Sequence, residues 1–267
     1  MPARISGHWT REKLHFLECY APAFVRACKS AEGGCFIDAF SGPGWNEDEQ
    51  GRFKGSPLIV TRYNFRDIFL IDSDPANTEA LNHLDFDSRV EIMTGDANEL
   101  VLVALCSVPD WLPALIFLDQ NSNQVSFATL REIAGWSRQR NRKPELLVLL
   151  PTGMVLQRLF PRGRPAQHTH VLDKVFGSEE VWRPIEEQRM AGGLRRGSII
   201  QALTESYMTL LTGTLGYVEQ PLHRHIRMGG ERGVFLYTLV FATDHSVGRR
   251  TMDKCFRHRH SGQGALF

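Results

Sequence analysis

The sequence predicts an α/β fold built on a doubly wound, mostly parallel β-sheet. Five short apolar runs alternate with segments of helical periodicity, which is the pattern of repeated βα units. The first four runs end at or beside an aspartate. Two further strand-like segments follow near the C-terminus. The five runs are residues 35–37, 68–71, 90–93, 115–118 and 146–150.

The overall composition is that of a globular protein. The chain has 267 residues, 42% hydrophobic and 23% charged, which allows one large domain or two small ones. A net charge of +1 excludes global electrostatic attraction to nucleic acid or membrane. The five cysteines form no C-x-x-C pair, so we expect buried thiols and a reducing, cytoplasmic setting. The N-terminus is polar and no apolar run reaches bilayer length, so we expect neither a signal peptide nor a membrane span.

The N-terminal segment, residues 1–33, is predicted to be helical over residues 10–29. Leu14, Leu17, Tyr20 and Phe24 recur at helical spacing, and Thr10 is the expected N-cap. Pro22 lies inside this pattern and is expected to kink or divide the helix, and residues 33–34, both glycine, end it. We then expect one domain over residues 34–247 and a basic tail over residues 248–267.

The segment that follows the first strand indicates a ligand site. Asp38 ends the apolar run, and Gly42 and Gly44 follow within a short loop that can adopt positive φ. A carboxylate at a strand tip and a flexible loop build small-molecule pockets in open α/β sheets, although a simple turn would have the same pattern. The polar residues 45–54 are a candidate mobile loop or lid. We expect Ser56 to cap the next helix, with Pro57 at its first position.

The later strands also end in acids. Asp72 ends the second strand, and Asp74 caps the next helix with a proline at its first turn. Asp96 follows the third strand and Asp119 the fourth, whereas Pro151 follows the fifth. Strand C-termini of such sheets open onto one edge, so Asp38, Asp72, Asp96 and Asp119 are expected to line one crevice.

The C-terminal third predicts a loop, two helices and a strand pair. Residues 161–165 form the loop, and the helices are expected over residues 168–176 and 199–211. Residues 217–227 and 233–241 are expected to be antiparallel strands joined by a turn at residues 228–232. By analogy, an antiparallel pair of this kind closes the sheet of class I methyltransferases.

The motifs favour S-adenosyl-L-methionine (SAM) over other cofactors. The third glycine of G-x-G-x-x-G and the phosphate-binding loop are missing, which disfavours dinucleotides and nucleotide hydrolysis. Asp72 would accept hydrogen bonds from the ribose hydroxyls, and Asp96 from the adenine amino group. Asp119 lies nearest the transferred methyl and is the expected catalytic residue, with capping as the alternative. The expected cofactor-binding residues are Asp38, Phe40, Gly42, Pro43, Gly44, Asp72, Ser73, Asp96, Ala97 and Asp119.

A series of short segments follows a recognisable order along the chain: residues 9–14 with Tyr20, and residues 36–44, 55–58, 71–75, 118–119 and 236–245. Together they resemble the three-Cys-motif partner family, a bacterial family with a methyltransferase-like fold. The resemblance implies SAM binding and a partner protein that carries a three-cysteine motif. The chain departs from the family after the fourth strand, where it keeps the acid of an Asp-Pro-Tyr-Gly-like stretch, Asp119, but loses the proline and the aromatic residue.

The first loop also resembles that of DNA methyltransferases, but the chemistry of those enzymes is weakly supported. An Asp/Asn-Pro-Pro-aromatic stretch is absent, and no cysteine follows the fourth strand, since Cys106 precedes it. The leading hypothesis is therefore a SAM-dependent methyltransferase of unknown acceptor. The alternative is a catalytically silent methyltransferase-like module that assists a partner protein or nucleic acid.

Two further signals are weaker. Three His-x-His pairs could share one face of a strand, but without a third clustered ligand we predict no metal site. The basic tail, and a basic loop with Arg189, Arg195 and Arg196, could contact RNA or DNA phosphates, although solvated termini have the same composition. The pairs are His168/His170, His223/His225 and His258/His260, and the basic residues of the tail are Arg249, Arg250, Lys254, Arg257 and Arg259.

Overall fold

A seven-stranded sheet forms the centre of the protein. The computed structural model describes residues 2–136, 143–153, 155–228 and 233–258. The strands of this sheet are β2 (Cys35–Asp38), β5 (Asp67–Asp72), β6 (Val90–Thr94), β7 (Ala114–Leu118), β8 (Glu145–Leu150), β9 (Leu222–Met228) and β10 (Val234–Ala242). They pair in the order β6-β5-β2-β7-β8-β10-β9, and β10 alone runs in the direction opposite to the other six.

This strand order confirms the predicted fold class. Renumbered along the chain, the seven strands lie in the order 3-2-1-4-5-7-6, the Rossmann-like arrangement of class I methyltransferases. The connections leave β2 in opposite directions, so a crevice opens between the ends of β2 and β7. The C-terminal pair β9 and β10 is antiparallel as predicted, whereas its turn at residues 229–232 lies outside the described residues.

Helices cover both faces of the sheet. Side chains alternate along the buried strands, so Cys35 and Ile37 join one apolar cluster and Phe36 joins the other. The helices are α1 (Trp9–Ala27), α2 (Ser56–Val60), α3 (Pro75–Asn82), α4 (Ala97–Ser107), α5 (Phe127–Trp136), α6 (Thr169–Phe176), α7 (Glu179–Met190), α8 (Arg196–Gly213) and α9 (Ser246–Arg257). Helices α4 to α8 pack on the first face, and α1, α2, α3 and α9 on the second.

The predicted loop at residues 45–54 is a β-hairpin. Strands β3 (Trp45–Asp48) and β4 (Gly51–Lys54) pair with each other, and β3 also pairs with β1 (Arg4–Ile5) in a small second sheet. Gly51 turns the hairpin with a φ of +104°. Arg11 of α1 donates to Asp48 at 2.6 and 2.8 Å, which anchors the hairpin to the helix. Polar composition hid these strands because they lie on the surface, where no apolar face is needed.

Several element boundaries differ from the predictions, and one helix was not predicted. Ser56 is the first residue of α2 and not its N-cap, which is Gly55. Thr10 is not the N-cap of α1, because the helix begins at Trp9 and Thr10 is buried within its first turn. The strand predicted from residue 217 begins at Leu222, since the Tyr217 hydroxyl instead donates to the Pro144 carbonyl at 2.8 Å. Helix α7 was not predicted, because its mean hydropathy is low and only Trp182, Ile185 and Glu186 are buried.

The expectation that all cysteines are thiols is wrong. Cys19 of α1 and Cys255 of α9 form a disulfide across a sequence separation of 236 residues, while Cys28, Cys35 and Cys106 remain thiols. Spacing could not show this pair, because the packing of α9 on α1 creates it. Residues 248–257 of the predicted tail belong to α9, whereas residues 259–267 lie outside the described residues. Within the described ranges, no helix is long and apolar enough to cross a membrane.

Thiol counting tests the disulfide. In protein purified without reductant and then denatured, an alkylating reagent should label three cysteines, and all five after reduction, because only Cys19 and Cys255 are bonded. Intact mass spectrometry measures both numbers. The matched variant Cys255→Ser should expose four thiols without reduction. Five labelled thiols in the unreduced native sequence would contradict this pairing.

Candidate functional site

The glycine loop between β2 and β3 lies at the carboxyl end of the sheet, as predicted. Gly42 and Gly44 have φ values of +62° and +83°, in the left-handed region that favours glycine. A Cβ at Gly44 would lie 2.7 Å from Leu84 Cδ1, so the loop also packs too closely there for a side chain. The Ser41 backbone N–H and hydroxyl both donate to the Ile71 carbonyl, at 2.9 and 3.0 Å, and thereby fix the loop on β5.

Asp72, at the end of β5, holds the loop from the other side. Its Oδ2 accepts from the Gly42 N–H at 2.8 Å, and its Oδ1 accepts from the Asp74 N–H at 2.9 Å and from Asn77 Nδ2 at 3.1 Å. A carboxylate has about four acceptor positions, so these bonds leave about one, on Oδ2. The grip on both ribose hydroxyls that the sequence predicts therefore requires Asp72 to exchange one of these contacts.

Asp38 is fully buried beneath the loop. Its Oδ1 accepts from the Phe40 N–H at 3.2 Å, while its Oδ2 is buried without a hydrogen-bond partner in the described part of the chain. Burial raises the pKa of Asp38 to about 7, against the Ser56 hydroxyl and the Phe40 N–H, which lower it. The charges of Asp119 and Asp72 add to the rise. The glycine loop connects the three carboxylates: the Phe40 N–H donates to Asp38, the Gly42 N–H donates to Asp72, and Asp119 lines the same cavity as Gly42.

Asp119, after β7, forms a buried ion pair with Lys13 of α1. Lys13 Nζ donates to both carboxylate oxygens, at 2.6 Å to Oδ1 and closer still to Oδ2. Both residues are almost fully buried, with relative exposures of 6% for Lys13 and 5% for Asp119. Asp119 is therefore not a helix cap, which was the alternative reading. The Asp119 carboxylate lies at the carboxyl edge of the sheet, and its counter-ion is the Lys13 ammonium of α1.

Asp96 lies farther along the same edge and is exposed. It caps α4: its Oδ1 accepts from the Asn98 N–H at 2.7 Å and from Asn98 Nδ2 at 2.8 Å, which lowers the pKa of Asp96. The Gly95 N–H donates to the Asp72 carbonyl at 3.0 Å, so the Asp96 loop adjoins the Asp72 loop. Of the other predicted residues, Ser73 is exposed, Ala97 and Pro43 are buried, and Phe40 is half-buried.

The loop after β7 is ordered by Gln120, which the sequence analysis did not single out. Gln120 is 2% exposed, and its Oε1 accepts from the N–H groups of Gln124 and Val125 at 2.8 and 2.9 Å. Its Nε2 donates to the Leu149 carbonyl at 3.0 Å, which ties the loop to β8. The departure from the family pattern at residues 120–123 thus supplies a structural residue directly beside Asp119.

A small cavity of about 20 Å³ lies between the loop and the ion pair. This volume has room for about one water molecule. The N-terminal segment and the hairpin cover it with Arg4, Trp45 and Asn46, and α1 contributes Thr10 and Lys13. The guanidinium of Arg52 stacks on the Trp45 ring, 4.5 Å from its centroid. The candidate site therefore has a roof that only the tertiary structure reveals.

Sequence reasoning missed Lys13, although a signal was present. Lys13 precedes Leu17, Tyr20 and Phe24 by four, seven and eleven residues, which places it on the buried face of α1. A lysine on a buried face needs an acidic partner, and Asp119 is the acid that meets it. Arg4 and Ser56, by contrast, reach the site through the small sheet and the start of α2, which no local pattern indicated.

Within the part of the chain that the structure describes, neither the histidine pairs nor the basic residues singled out from the sequence line the cavity beside the glycine loop. Among the described residues, no group of three metal-ligating side chains is present. His225 Nδ1 lies 2.9 Å from Thr238 Oγ1, and burial lowers the pKa of His225 to about 4. Arg189 donates to the Leu194 carbonyl, and Arg249 to the Gln220 carbonyl at 2.8 Å, so both stabilise local structure. His260 and Arg259 lie outside the described residues.

Comparison with known proteins supports the fold. Neither a protein-family model nor a curated protein matches this chain. Protein LPL1258 of Legionella pneumophila, described as family model DUF519, has a similar structure, with a TM-score of 0.52 and 10% identity. That match covers 93% of this chain and 91% of the other. At such low identity the likeness shows the fold alone.

Weaker likenesses extend to two methyltransferase structures. TYW2 of M. jannaschii, in complex with AdoMet, has a TM-score of 0.39 and 12% identity, over 88% of this chain and 75% of that one. The methyltransferase domain of bacterial CtHen1 has a TM-score of 0.41 and 14% identity, over 85% and 99%. Both scores are below 0.5, so these likenesses carry no argument about the chemistry of this chain.

The Lys13–Asp119 pair can be tested by mutation. Lys13→Met should lower the free energy of unfolding by about 3–5 kcal/mol, because it leaves Asp119 buried without its counter-ion. Urea denaturation followed by circular dichroism measures the loss. The control Arg62→Met removes a cation from the exposed Arg62–Glu18 pair, and the expected loss is about 1 kcal/mol or less. Equal losses in the two variants would show that the Lys13 pair is not buried.

Proposed function

We propose that this protein is a SAM-dependent methyltransferase. The observation that carries the proposal is the glycine loop at the end of β2, which Asp72 holds at the switch point of the sheet. Ligands of open α/β sheets bind at that point. The loop lacks the third glycine of the dinucleotide motif, and a β-hairpin intervenes in the sequence before α2 begins at Ser56, which favours an adenosyl cofactor over a dinucleotide.

The residues at this edge suit the three parts of SAM. The buried, unpartnered Oδ2 of Asp38 beneath the loop suits the cationic methionine end, because a positive group would stabilise its charged form. Asp72 would bind the ribose after exchanging one of its present contacts. Both hydrogen bonds from Asn98 go to Oδ1 of Asp96, so its Oδ2 could accept from the adenine amino group. When bound, SAM supplies an activated methyl group.

Asp119 is the proposed catalytic residue. The Lys13 ammonium stabilises its charged form, so the carboxylate can accept a hydrogen bond from the nucleophile of the acceptor and orient it. The hydrogen bond from Gln120 to the Leu149 carbonyl of β8 fixes the loop that begins at Asp119. Most of the rate enhancement would then come from alignment of the nucleophile with the methyl group, and less from proton transfer. The acceptor itself is not assigned.

A second candidate is the silent binding module, and one observation favours it. The cavity beside the loop is about 20 Å³, whereas pockets for drug-sized ligands occupy about 300–1,000 Å³. SAM can enter only if the roof formed by Arg4 and the hairpin moves away. A methyltransferase-like fold that keeps this roof closed would bind a partner and catalyse nothing.

The partners expected from the sequence belong to the same proposal. A protein with a three-cysteine motif is suggested by the family resemblance. Contact with RNA or DNA is suggested by the basic residues of α9, of which Arg250 and Lys254 face outward on a helix packed against α1. A cytoplasmic location is likewise proposed, although the disulfide weakens the thiol argument that first supported it.

Isothermal titration calorimetry with SAM and S-adenosylhomocysteine tests the function. The native protein should bind both ligands, and Asp72→Ala should abolish binding because it frees the loop and removes the ribose acceptor. Asp119→Ala should retain cofactor binding. The control Glu187→Ala removes an exposed acid of α7, which contributes nothing to the cavity beside the loop, and should bind as the native protein does. No heat with either ligand at millimolar concentration would favour the silent module.

A further inference from the structure

A second and much larger cavity lies at the opposite edge of the sheet. Its volume is about 810 Å³, and it is bounded by the amino-terminal ends of β7 and β8 at Ala114 and Glu145. Helix α1 forms one wall, with Tyr20 and Phe24, and the first turn of α9 forms another. The candidate methyltransferase site uses the carboxyl ends of the same strands, so the two sites lie at opposite edges.

Glu145 is the main polar feature of this cavity. It is 5% exposed, yet it begins a buried strand and lines the cavity. Its Oε2 accepts from the Tyr20 hydroxyl at 2.6 Å, and its Oε1 accepts from the Thr243 hydroxyl at 2.7 Å. These neutral donors use two of about four acceptor positions. The carboxylate therefore keeps acceptor capacity for a ligand.

No cation of the described residues neutralises Glu145 within ion-pair distance. Lys143 also lines the cavity, but its Nζ lies 3.2 Å from Asp244 Oδ2 and 2.8 Å from the Gly216 carbonyl. Burial raises the pKa of Glu145, and the charge of Asp244 adds to the rise. Buried carboxylates are normally paired, since isolated charge is costly in a low-dielectric interior. A cationic ligand would supply the missing charge.

Aromatic rings surround the same space. Tyr20, Phe24, Trp111 and Trp136 line the cavity, and Trp111 is 54% exposed. Aromatic faces attract cations, and they also supply apolar area for a planar ligand. The Arg66 guanidinium lies 5.0 Å from the Trp111 ring centroid, so this ring already takes part in one cation–π contact.

Gly248 of α9 allows the polar cluster to stay compact. A Cβ at this position would lie 2.6 Å from Glu145 Oε1 and 2.8 Å from the Tyr20 hydroxyl. Only glycine lets the first turn of α9 approach the carboxylate without displacing it. The wall formed by α9 is therefore fitted to Glu145.

We propose that this cavity binds a small organic cation in which a short alkyl chain joins an ammonium group to a planar aromatic ring. The ammonium pairs with Glu145, and the ring packs between the aromatic walls. This site is separate from the methyltransferase site and does not depend on the proposed function. Lys143 of the cavity lining is already paired with Asp244, which disfavours an anionic ligand.

Three ligands of nearly equal shape test the proposal: phenethylamine, phenethyl alcohol and phenylacetate. Ligand-observed NMR titration of the full chain should show saturable binding of the amine, about tenfold tighter than the alcohol, with phenylacetate weakest. Equal affinity for amine and alcohol, a preference for phenylacetate, or no saturable binding of the amine up to about 10 mM would overturn the proposal.

Two variants and a control locate the binding. Glu145→Gln keeps acceptor and shape but removes the charge, and should weaken amine binding about tenfold without affecting the alcohol. Trp111→Ala changes an exposed ring, so folding should survive, and should weaken both ligands severalfold. Glu99→Gln, an exposed acid of α4, should bind as the native protein does. Unchanged amine affinity in Trp111→Ala would overturn the proposal even if Glu145→Gln fails to fold.

Discussion

The buried ion pair between Lys13 and Asp119 joins the N-terminal helix to the functional edge of the sheet. Without Lys13, Asp119 would be an isolated charge in the interior, and the end of β7 could not stay buried. The pair also fixes α1 above the crevice, where Arg11 of the same helix anchors the hairpin. The covering of the candidate site therefore depends on contacts that α1 makes with residues distant in the sequence, first of all the Lys13–Asp119 pair.

Three of the buried carboxylates in the described residues, Asp38, Asp119 and Glu145, are each stabilised differently. Asp119 has a cation, and Glu145 has two neutral hydroxyl donors. Asp38 accepts from the Phe40 N–H, and burial raises its pKa to about 7. The incomplete compensation of Asp38 and Glu145 marks opposite edges of the sheet as places where a positively charged group would be stabilised.

The fold was predictable from local pattern, whereas the completed site was not. Apolar runs such as residues 115–118 and glycine loops such as residues 42–44 determine strands and turns locally, and the structure confirms both. The hairpin at residues 45–54 and the Cys19–Cys255 disulfide depend on tertiary packing, which composition does not encode. Lys13 lies between these cases, because helical periodicity showed its face but not its partner.

A crystal structure of the protein with S-adenosylhomocysteine tests the central claim most directly. We expect the ligand at the carboxyl edge, with its ribose on Asp72, its adenine near Asp96 and its amino-acid end beside residues 42–44. The roof formed by Arg4 and the hairpin should be displaced. A ligand bound elsewhere, or a crevice that stays closed and empty at saturating ligand, would contradict the assignment of this edge as a cofactor site.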